Sequence, residues 1–410
     1  MADQTPSRAF NHPAQQAAAL LVRLGLAVLA VGVPLGALWS RRLIFTLMPV
    51  GAALILLGVL LDPKGAHMER LRNALVTPLG LVALFILGWS CLSLVWTPFA
   101  ASASERYFKT AGTLLFAMAA AVALPPHSKT SNLYLLPLGL ALAALATLVI
   151  GIFVPPPSSQ DLENSVLDRV ALTLCMLVWP SLAALAVRDR WMSAGLLAVA
   201  VAVSIIAVWN PAVLGALAAG AIVFSLSNTS QMRIGRLFGM VIGALILIAP
   251  ALPFVLAPLM RSATHNFAVS MQTAEAFFAY EGLRLLAGHG FDTFMRGFQM
   301  GYIPATMPHS FIYEIWYELG FLGAASSALL VWMIFCCASA NLPKPLTGFV
   351  QGAMVCGFTL TLSGLVTLQI WWVTLLAVVG ILFALVAKGQ YRTQRPAAKS
   401  LSANALKSQI

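Results

Sequence analysis

Long apolar runs separated by short polar segments make up most of this chain. A run of about 18 to 25 apolar residues is what an α-helix needs to cross a bilayer. The pattern therefore predicts an all-α integral membrane protein with about twelve transmembrane helices. The predicted spans are 17–39, 43–61, 75–96, 107–124, 133–154, 169–187, 191–208, 212–228, 236–259, 311–337, 346–364 and 368–387.

Short connections leave the number of spans open between ten and thirteen. The runs that meet at Asn210-Pro211 and at Thr367-Leu368 could each form one broken helix. The polar segment 1–16 is too weakly basic for a signal peptide, so we expect an uncleaved first helix. We expect residues 1–410 to form a single polytopic domain.

The longest connection covers residues 261–310, between predicted spans nine and ten. It is rich in phenylalanine, and residues 272–286 fit a helix that lies on the membrane surface. Long loops in compact folds are usually functional or disordered. The aromatic content favours a folded, functional loop.

Composition agrees with a membrane protein, since 60% of the residues are hydrophobic and only 9% are charged. Soluble domains carry about 25% charged residues. The net charge of +11 does not indicate a nucleic-acid partner, because Lys and Arg lie in short loops and at the tail. Their distribution predicts cytoplasmic termini, a basic cytoplasmic tail at 388–410 and an extracytoplasmic loop at 261–310.

A minority of cations lies on the predicted extracytoplasmic face, against that distribution. Each is either solvated at a helix end or binds an anion, with which a guanidinium forms paired hydrogen bonds. Arg169 follows Asp168 at the start of a span, where it either pairs with Asp168 or binds a ligand. The minority set is Arg41, Arg42, Arg106, Lys109, Arg169, Arg261, Arg284 and Arg296.

Motifs for metal or nucleotide chemistry are missing from the sequence. The five cysteines lie within apolar runs, as small buried side chains do, and there is no Asp-x-Asp, His/Asp cluster or Gly-Lys-Ser loop. We expect no cofactor and no metal. The energy for any reaction must then come with the substrate or from a gradient.

A glycine turn in the loop is the first candidate for a functional segment. Residues 285–292 contain Gly288 and Gly290, which either end the preceding helix or form a turn that faces a ligand.

The second candidate is segment 307–323, which is dense in polar residues and leads into predicted span ten. On a helix that begins near His309, Tyr313 and Gly320 share its face. Glu314 and Glu318 lie on a neighbouring face, where they could cap the helix, pair with an arginine or orient the histidine. Gly320 and Gly323 fit the close approach of another helix, and Ser310 follows the histidine directly.

His309, Ser310, Gly320 and Gly323 match, in order and spacing, the H-[N/S]-x9-G-x-x-G signature of the O-antigen ligase and polymerase superfamily. The chain resembles this family of bacterial surface-polysaccharide enzymes, which carries the motif at the end of a large periplasmic loop. Three further segments resemble the family in the same order, so that the resemblance covers about residues 80–340. They are 92–98 with Glu105-Arg106, Asp168-Arg169 and the turn at 285–292.

One departure concerns a second arginine, which relatives usually carry near the start of the loop helix. Here residues 270–275 contain no arginine, and Arg261 or Arg284 are the candidates to replace it.

The resemblance implies a GT-C-like membrane glycosyltransferase of the bacterial inner membrane. Such an enzyme moves a glycan from an undecaprenyl-pyrophosphate donor to an acceptor hydroxyl on the periplasmic face, and in an O-antigen ligase the acceptor is lipid A-core. His309 would be the catalytic base, with Ser310, Tyr313, Glu314 and the four motif and turn glycines in support. The donor pyrophosphate would bind Arg169, Arg284, Arg261 and Arg106.

Alternatives stay open at this point. A polymerase or a protein O-oligosaccharyltransferase of the same superfamily differs only in its acceptor. A secondary transporter fits the span count equally well, although such proteins tend to show internal repeats and ionisable groups near the bilayer midplane. Neither is evident in the sequence.

Overall fold

The computed structural model describes residues 13–61, 67–125, 130–153, 166–259, 266–282, 284–364, 366 and 369–389, and almost all of these are helical. The first half of the bundle contains twelve helices: α1 (Pro13–Ala27), α2 (Val33–Trp39), α3 (Arg41–Leu60), α4 (His67–Val76), α5 (Pro78–Leu92), α6 (Ala100–Ala123), α7 (Thr130–Leu133), α8 (Leu135–Phe153), α9 (Val166–Ala186), α10 (Trp191–Val208), α11 (Pro211–Ser227) and α12 (Gln231–Ile248).

The remaining described helices are α13 (Leu252–Leu259), α14 (Asn266–Glu281), α15 (Arg284–Ala287), α16 (Phe294–Gln299), α17 (Phe311–Asn341), α18 (Lys344–Leu362) and α19 (Ile370–Ala387). A π-helical turn joins α1 to α2, and 3-10 turns extend α5 and join α12 to α13.

Ten helical stretches in the described part of the chain are long and apolar enough to cross a membrane. The protein is therefore an all-helical, multi-pass membrane protein. Each of the twelve predicted spans falls on a helix, but two of these helices are not long and apolar enough to count among the ten. Helix α6 carries Glu105, Arg106 and Lys109, and α11 has only 17 residues, or about 25 Å at 1.5 Å per residue.

The hairpin at Asn210 separates two helices. Trp209 ends α10 in the left-handed region, and the Asn210 side chain accepts hydrogen bonds from the backbone N–H groups of Ala212 and Val213 at the start of α11. This is the side-chain cap that Asn provides at helix starts. The second predicted hairpin, at Thr367-Leu368, lies outside the described residues.

Helix α9 is at the centre of the bundle, and nearly all of its residues are buried. It packs against α2, α8, α10, α18 and α19. Glycines allow the closest approach, because Gly220 of α11 and Gly352 of α18 both lie against the ring of Trp179 in α9. Many large apolar side chains elsewhere are exposed at the surface, as a lipid-facing surface requires.

The long connection is folded where it is described. Helix α14 covers most of the predicted surface helix, and Gly282, with a φ of 45°, ends it before α15. The aromatic residues Phe277, Phe278 and Phe294 pack into a cluster with the start of α17. We call the end of the bundle that carries residues 284–310 the loop side.

Candidate functional site

A break in α17 organises the candidate site. Gly320 has a φ of 64° and a ψ of −160°, a backbone conformation that glycine adopts readily and other residues avoid. The break removes three carbonyl groups from the hydrogen-bond ladder of the helix. These buried carbonyls need other donors.

The three carbonyls accept hydrogen bonds from residues outside the helix. The bonds are His289 N–H to Tyr317 O (2.8 Å), Gly290 N–H to Glu318 O (3.0 Å) and Trp89 Nε1–H to Leu319 O (2.9 Å). A Cβ at Gly320 would lie 2.6 Å from the backbone nitrogen of Gly288. The predicted close approach at Gly320 is made by the end of α15 and by Gly288, which follows it.

The glycine turn ends a helix, as one of the two predicted alternatives requires, and it also borders a cavity. Gly288 has a φ of 75° and its N–H donates to Arg284 O at 2.7 Å, so it ends α15. Gly288 also lines a cavity. We call residues 288–294 the docked segment.

The docked segment is also bound to the junction of α5 and α6. The N–H of Phe291 donates to Ser93 Oγ at 3.1 Å, and Thr97 Oγ1 donates to Phe291 O at 3.2 Å. Three segments that lie far apart in the sequence therefore meet on the loop side. These are 93–106, 288–294 and the start of α17, which are three of the segments on which the resemblance rests.

Arg106 is the ionic centre of this junction. Its guanidinium forms a salt bridge with Asp292 and lies 3.8 Å from Glu314 Oε1. Asp292 also accepts a hydrogen bond from Arg296 Nε at 2.7 Å. Asp292 and Glu314 are almost fully buried, so both depend on these cations. We call these four residues the Arg106 cluster.

This geometry favours a structural role for Arg106 over the predicted donor-binding role, because protein carboxylates already face its guanidinium. Glu314 pairs with an arginine, which was one of its three predicted options. Glu318, one turn further along α17, accepts a hydrogen bond from the N–H of Phe294 at 3.2 Å.

A cavity of about 610 Å³ lies beside the docked segment. Its walls include four aromatic rings and two side chains that can carry a positive charge, Arg284 and His289. The lining residues include Trp96, Phe99, Arg284, His289, Tyr302 and Tyr317.

His289 is held on three sides within this wall. Its Nε2 lies 3.0 Å from a carboxylate oxygen of Glu281, and its Nδ1 lies 3.3 Å from Tyr317 O. The imidazole stacks on the Tyr317 ring, with 4.1 Å between ring centroids and 11° between planes. This histidine was not among the predicted site residues.

His309 lies next to the cavity and not in its wall. It is exposed, and its ring stacks on Phe298 with 3.9 Å between ring centroids. Phe298 directly follows Gly297, which lines the cavity. On the other side, Gly364 packs against the carbonyl oxygen of His309. The histidine is therefore accessible from the loop side.

The residues that follow His309 begin α17. Ser310 accepts backbone hydrogen bonds from Tyr313 and Glu314, and its buried hydroxyl has no partner among the described residues. Tyr313 is buried against Phe278, at 5.5 Å between ring centroids. Gly323 faces Leu319 of its own helix, across the break.

Arg169 lies in a second cluster. Its Nε–H donates to Ala37 O at 2.7 Å, and Arg41 begins α3 shortly after Ala37 in the chain. The predicted local partner, Asp168, accepts a hydrogen bond from Asn210 at 2.8 Å. We call Arg169, Arg41 and Ala37 the Arg169 cluster.

The two clusters lie on the same side of the bundle. Helices α9 and α18 run antiparallel, since Trp179 contacts Gly352 and Cys175 lies 3.3 Å from Cys356. The start of α9 therefore lies toward the end of α18, which continues to Gly364 and His309. Arg261 lies outside the described residues.

Sequence reasoning missed His289, Glu281 and Asp292 as site residues. One signal was available, because His289 stands between the two glycines of a turn that was itself singled out. Asp292 ends the same turn, but nothing in the sequence indicates its pairing with Arg106, and no pattern marks Glu281 as the partner of His289. No protein-family model, no curated protein and no solved structure matches this chain.

Proposed function

We propose that the protein is a membrane glycosyltransferase that moves a glycan from an undecaprenyl-pyrophosphate donor to an acceptor hydroxyl. The observation that carries the proposal is the aromatic, cation-bearing cavity at the junction of the motif segments. Aromatic ring faces attract the polarised C–H groups of a sugar ring, and cations bind diphosphate oxygens. The cavity size is within the usual range for ligand sites.

In the proposed reaction, the acceptor oxygen forms a bond to the anomeric carbon of the donor sugar. The bond from that carbon to the pyrophosphate oxygen breaks, and the lipid pyrophosphate leaves with the bonding electrons. His309 takes the proton of the acceptor hydroxyl, because it is accessible and imidazole titrates near neutral pH. Arg284 in the cavity wall and Arg169 stabilise the charge on the leaving group.

The proposed topology has twelve spans, with α6 and α11 included, and both termini in the cytoplasm of a bacterial cell. The loop side then faces the periplasm. The proposal favours an O-antigen ligase with lipid A-core as the acceptor, and a polymerase or a protein O-oligosaccharyltransferase is the alternative.

The first test is transfer in vitro, with the purified chain in nanodiscs, a lipid-linked glycan donor and each of the three acceptors. The proposal predicts a glycan product that needs no nucleotide, and the acceptor that is used decides between the three enzymes. A preparation that is folded and binds donor but modifies no acceptor would overturn it. In cells, gene disruption should leave lipid-linked glycan accumulating and the core uncapped.

The second test concerns His309. His309→Ala should lower kcat by about 10²–10⁴-fold, the usual contribution of a general base. The matched control is Tyr280→Ala, which removes a ring that is 94% exposed on α14. Full activity of His309→Ala would show that the proton goes elsewhere.

A secondary transporter is the second candidate, and one observation favours it. Glu314 and Glu318 are buried one turn apart at the start of α17, close to Arg106. Buried acids within membrane helices often carry protons in transporters. Glycan uptake into proteoliposomes that depends on a proton gradient would support this function and contradict the enzyme.

A further inference from the structure

Glu281 and His289 form an ion pair at the wall of the cavity, and the proposed reaction does not use it. Both residues are mostly buried, with side chains 16% and 14% exposed. They come from different elements, since Glu281 ends α14 and His289 belongs to the docked segment. Tyr317 separates them from the interior of the bundle.

Both ring nitrogens of His289 face hydrogen-bond acceptors. Its Nδ1 faces the carbonyl oxygen of Tyr317 and its Nε2 faces the Glu281 carboxylate, and both of these groups only accept hydrogen bonds. A neutral imidazole has one N–H and can satisfy only one of them, whereas a doubly protonated ring satisfies both.

A second cation lies in the same wall. Arg284 lines the cavity together with His289 and Tyr317. The Glu281–His289 ion pair and a second cation thus lie beside one cavity that is large enough for a ligand. A carboxylate and a phosphate oxygen satisfy guanidinium and imidazolium donors in the same way.

We propose that His289 and Arg284 together form a diphosphate-binding subsite, and that Glu281 is the counter-ion that occupies it until the ligand arrives. The ligand then replaces the Glu281 carboxylate at His289 Nε2. The stacked Tyr317 ring and the Nδ1 hydrogen bond keep the imidazole in place during the exchange. The identity of the natural ligand, a lipid diphosphate, rests on the proposed function.

Two substitutions distinguish this subsite from a purely structural ion pair, because they should act in opposite directions. His289→Gln removes the cation and should weaken binding of inorganic pyrophosphate about tenfold, which corresponds to one charge-assisted hydrogen bond. Glu281→Gln removes the competing anion and should strengthen binding several-fold. A structural pair would weaken binding in both variants.

Binding is measured by calorimetry on the full chain in nanodiscs. Tryptophan fluorescence is the second readout, since Trp96 lines the cavity. The control for Glu281→Gln is Glu275→Gln, on the same helix, and the control for Arg284→Gln is Arg42→Gln, an exposed arginine at the start of α3. Arg284→Gln should weaken binding, and neither control should change it. Weaker binding by Glu281→Gln, or unchanged binding by His289→Gln, would overturn the proposal.

A second arm replaces inorganic pyrophosphate with undecaprenyl diphosphate. Tighter binding of the lipid form, with the same order of variants, assigns the subsite to a lipid-borne diphosphate. Equal affinity assigns it to the diphosphate group alone. If the variants change pyrophosphate binding as predicted but no glycan is transferred, the proposed function is wrong and the subsite is supported. If glycan is transferred but the variants do not change binding as predicted, the proposed function is supported and the subsite is wrong.

Discussion

Two arginines on the loop side illustrate two uses of a cation in a membrane protein. Arg106 is partly buried and has acidic partners, Asp292 and Glu314, from two other elements. Arg169 is buried, and its Nε–H donates to the backbone carbonyl of Ala37. The Arg106 cluster pairs its cation with carboxylates, whereas the hydrogen bond of Arg169 goes to a neutral carbonyl.

This difference indicates which arginine is available for a ligand. Moving a charge away from water is costly unless it is paired. The Arg106 cluster has its anions and holds three segments together. In the described part of the chain, the Nε–H of Arg169 donates to a neutral carbonyl, which leaves its charge for the donor phosphate in the proposed function.

The largest expected effect comes from breaking the Arg106 cluster. Arg106→Met should destabilise the fold by about 3–5 kcal/mol, because it takes the shared cation away from the buried Asp292 and Glu314 and leaves Asp292 with Arg296 alone. The effect is measured as the loss of thermal stability in detergent. Arg296→Gln is the control, since it removes only the more exposed partner of Asp292 and should cost about 0–1 kcal/mol. Equal losses in both variants would contradict the central position of Arg106.

The second effect concerns the break in α17, which presents carbonyls to the docked segment. Gly320→Ala should destabilise the fold by about 1–3 kcal/mol, because the residue has a positive φ and its Cβ would meet the Gly288 nitrogen. Gly215→Ala in α11 is the matched control, since a Cβ there meets nothing within 4 Å. It should be neutral or slightly stabilising. An unchanged stability of Gly320→Ala would mean that the break is not required.

Most of the fold follows from the sequence, because apolar runs of bilayer length have few alternatives to a helix. The start of α17 and the glycine turn are also visible as motifs. The contact between them is not, since it depends on Gly320 leaving the helix and on three carbonyls that then need donors from distant segments. For the same reason, the sequence does not distinguish Arg106, which pairs with acidic side chains, from Arg169, which donates to a backbone carbonyl.

The third prediction tests whether Arg169, in contrast to Arg106, acts in donor binding. Arg169→Lys should raise the KM for the lipid-linked donor about tenfold, because lysine keeps the charge and loses the paired hydrogen bonds of the guanidinium. Its stability should change little. Kinetics with purified protein and varied donor test this, with Arg42→Lys as the control. An unchanged KM would remove Arg169 from the donor site and leave Arg284 as the described candidate.

The smallest effect isolates one hydrogen bond of the docking arrangement. Trp89→Phe keeps an aromatic ring but removes the Nε1–H that donates to Leu319 O at 2.9 Å, the third carbonyl that the break in α17 releases. The loss should be about 0.5–1.5 kcal/mol, the net contribution of a single hydrogen bond. In a double-mutant cycle with Gly320→Ala, the two losses of stability should not add. If the helix reforms at residue 320, its carbonyls accept hydrogen bonds within the helix again and no longer need Trp89. Additive losses would mean that Trp89 stabilises α17 independently of the break.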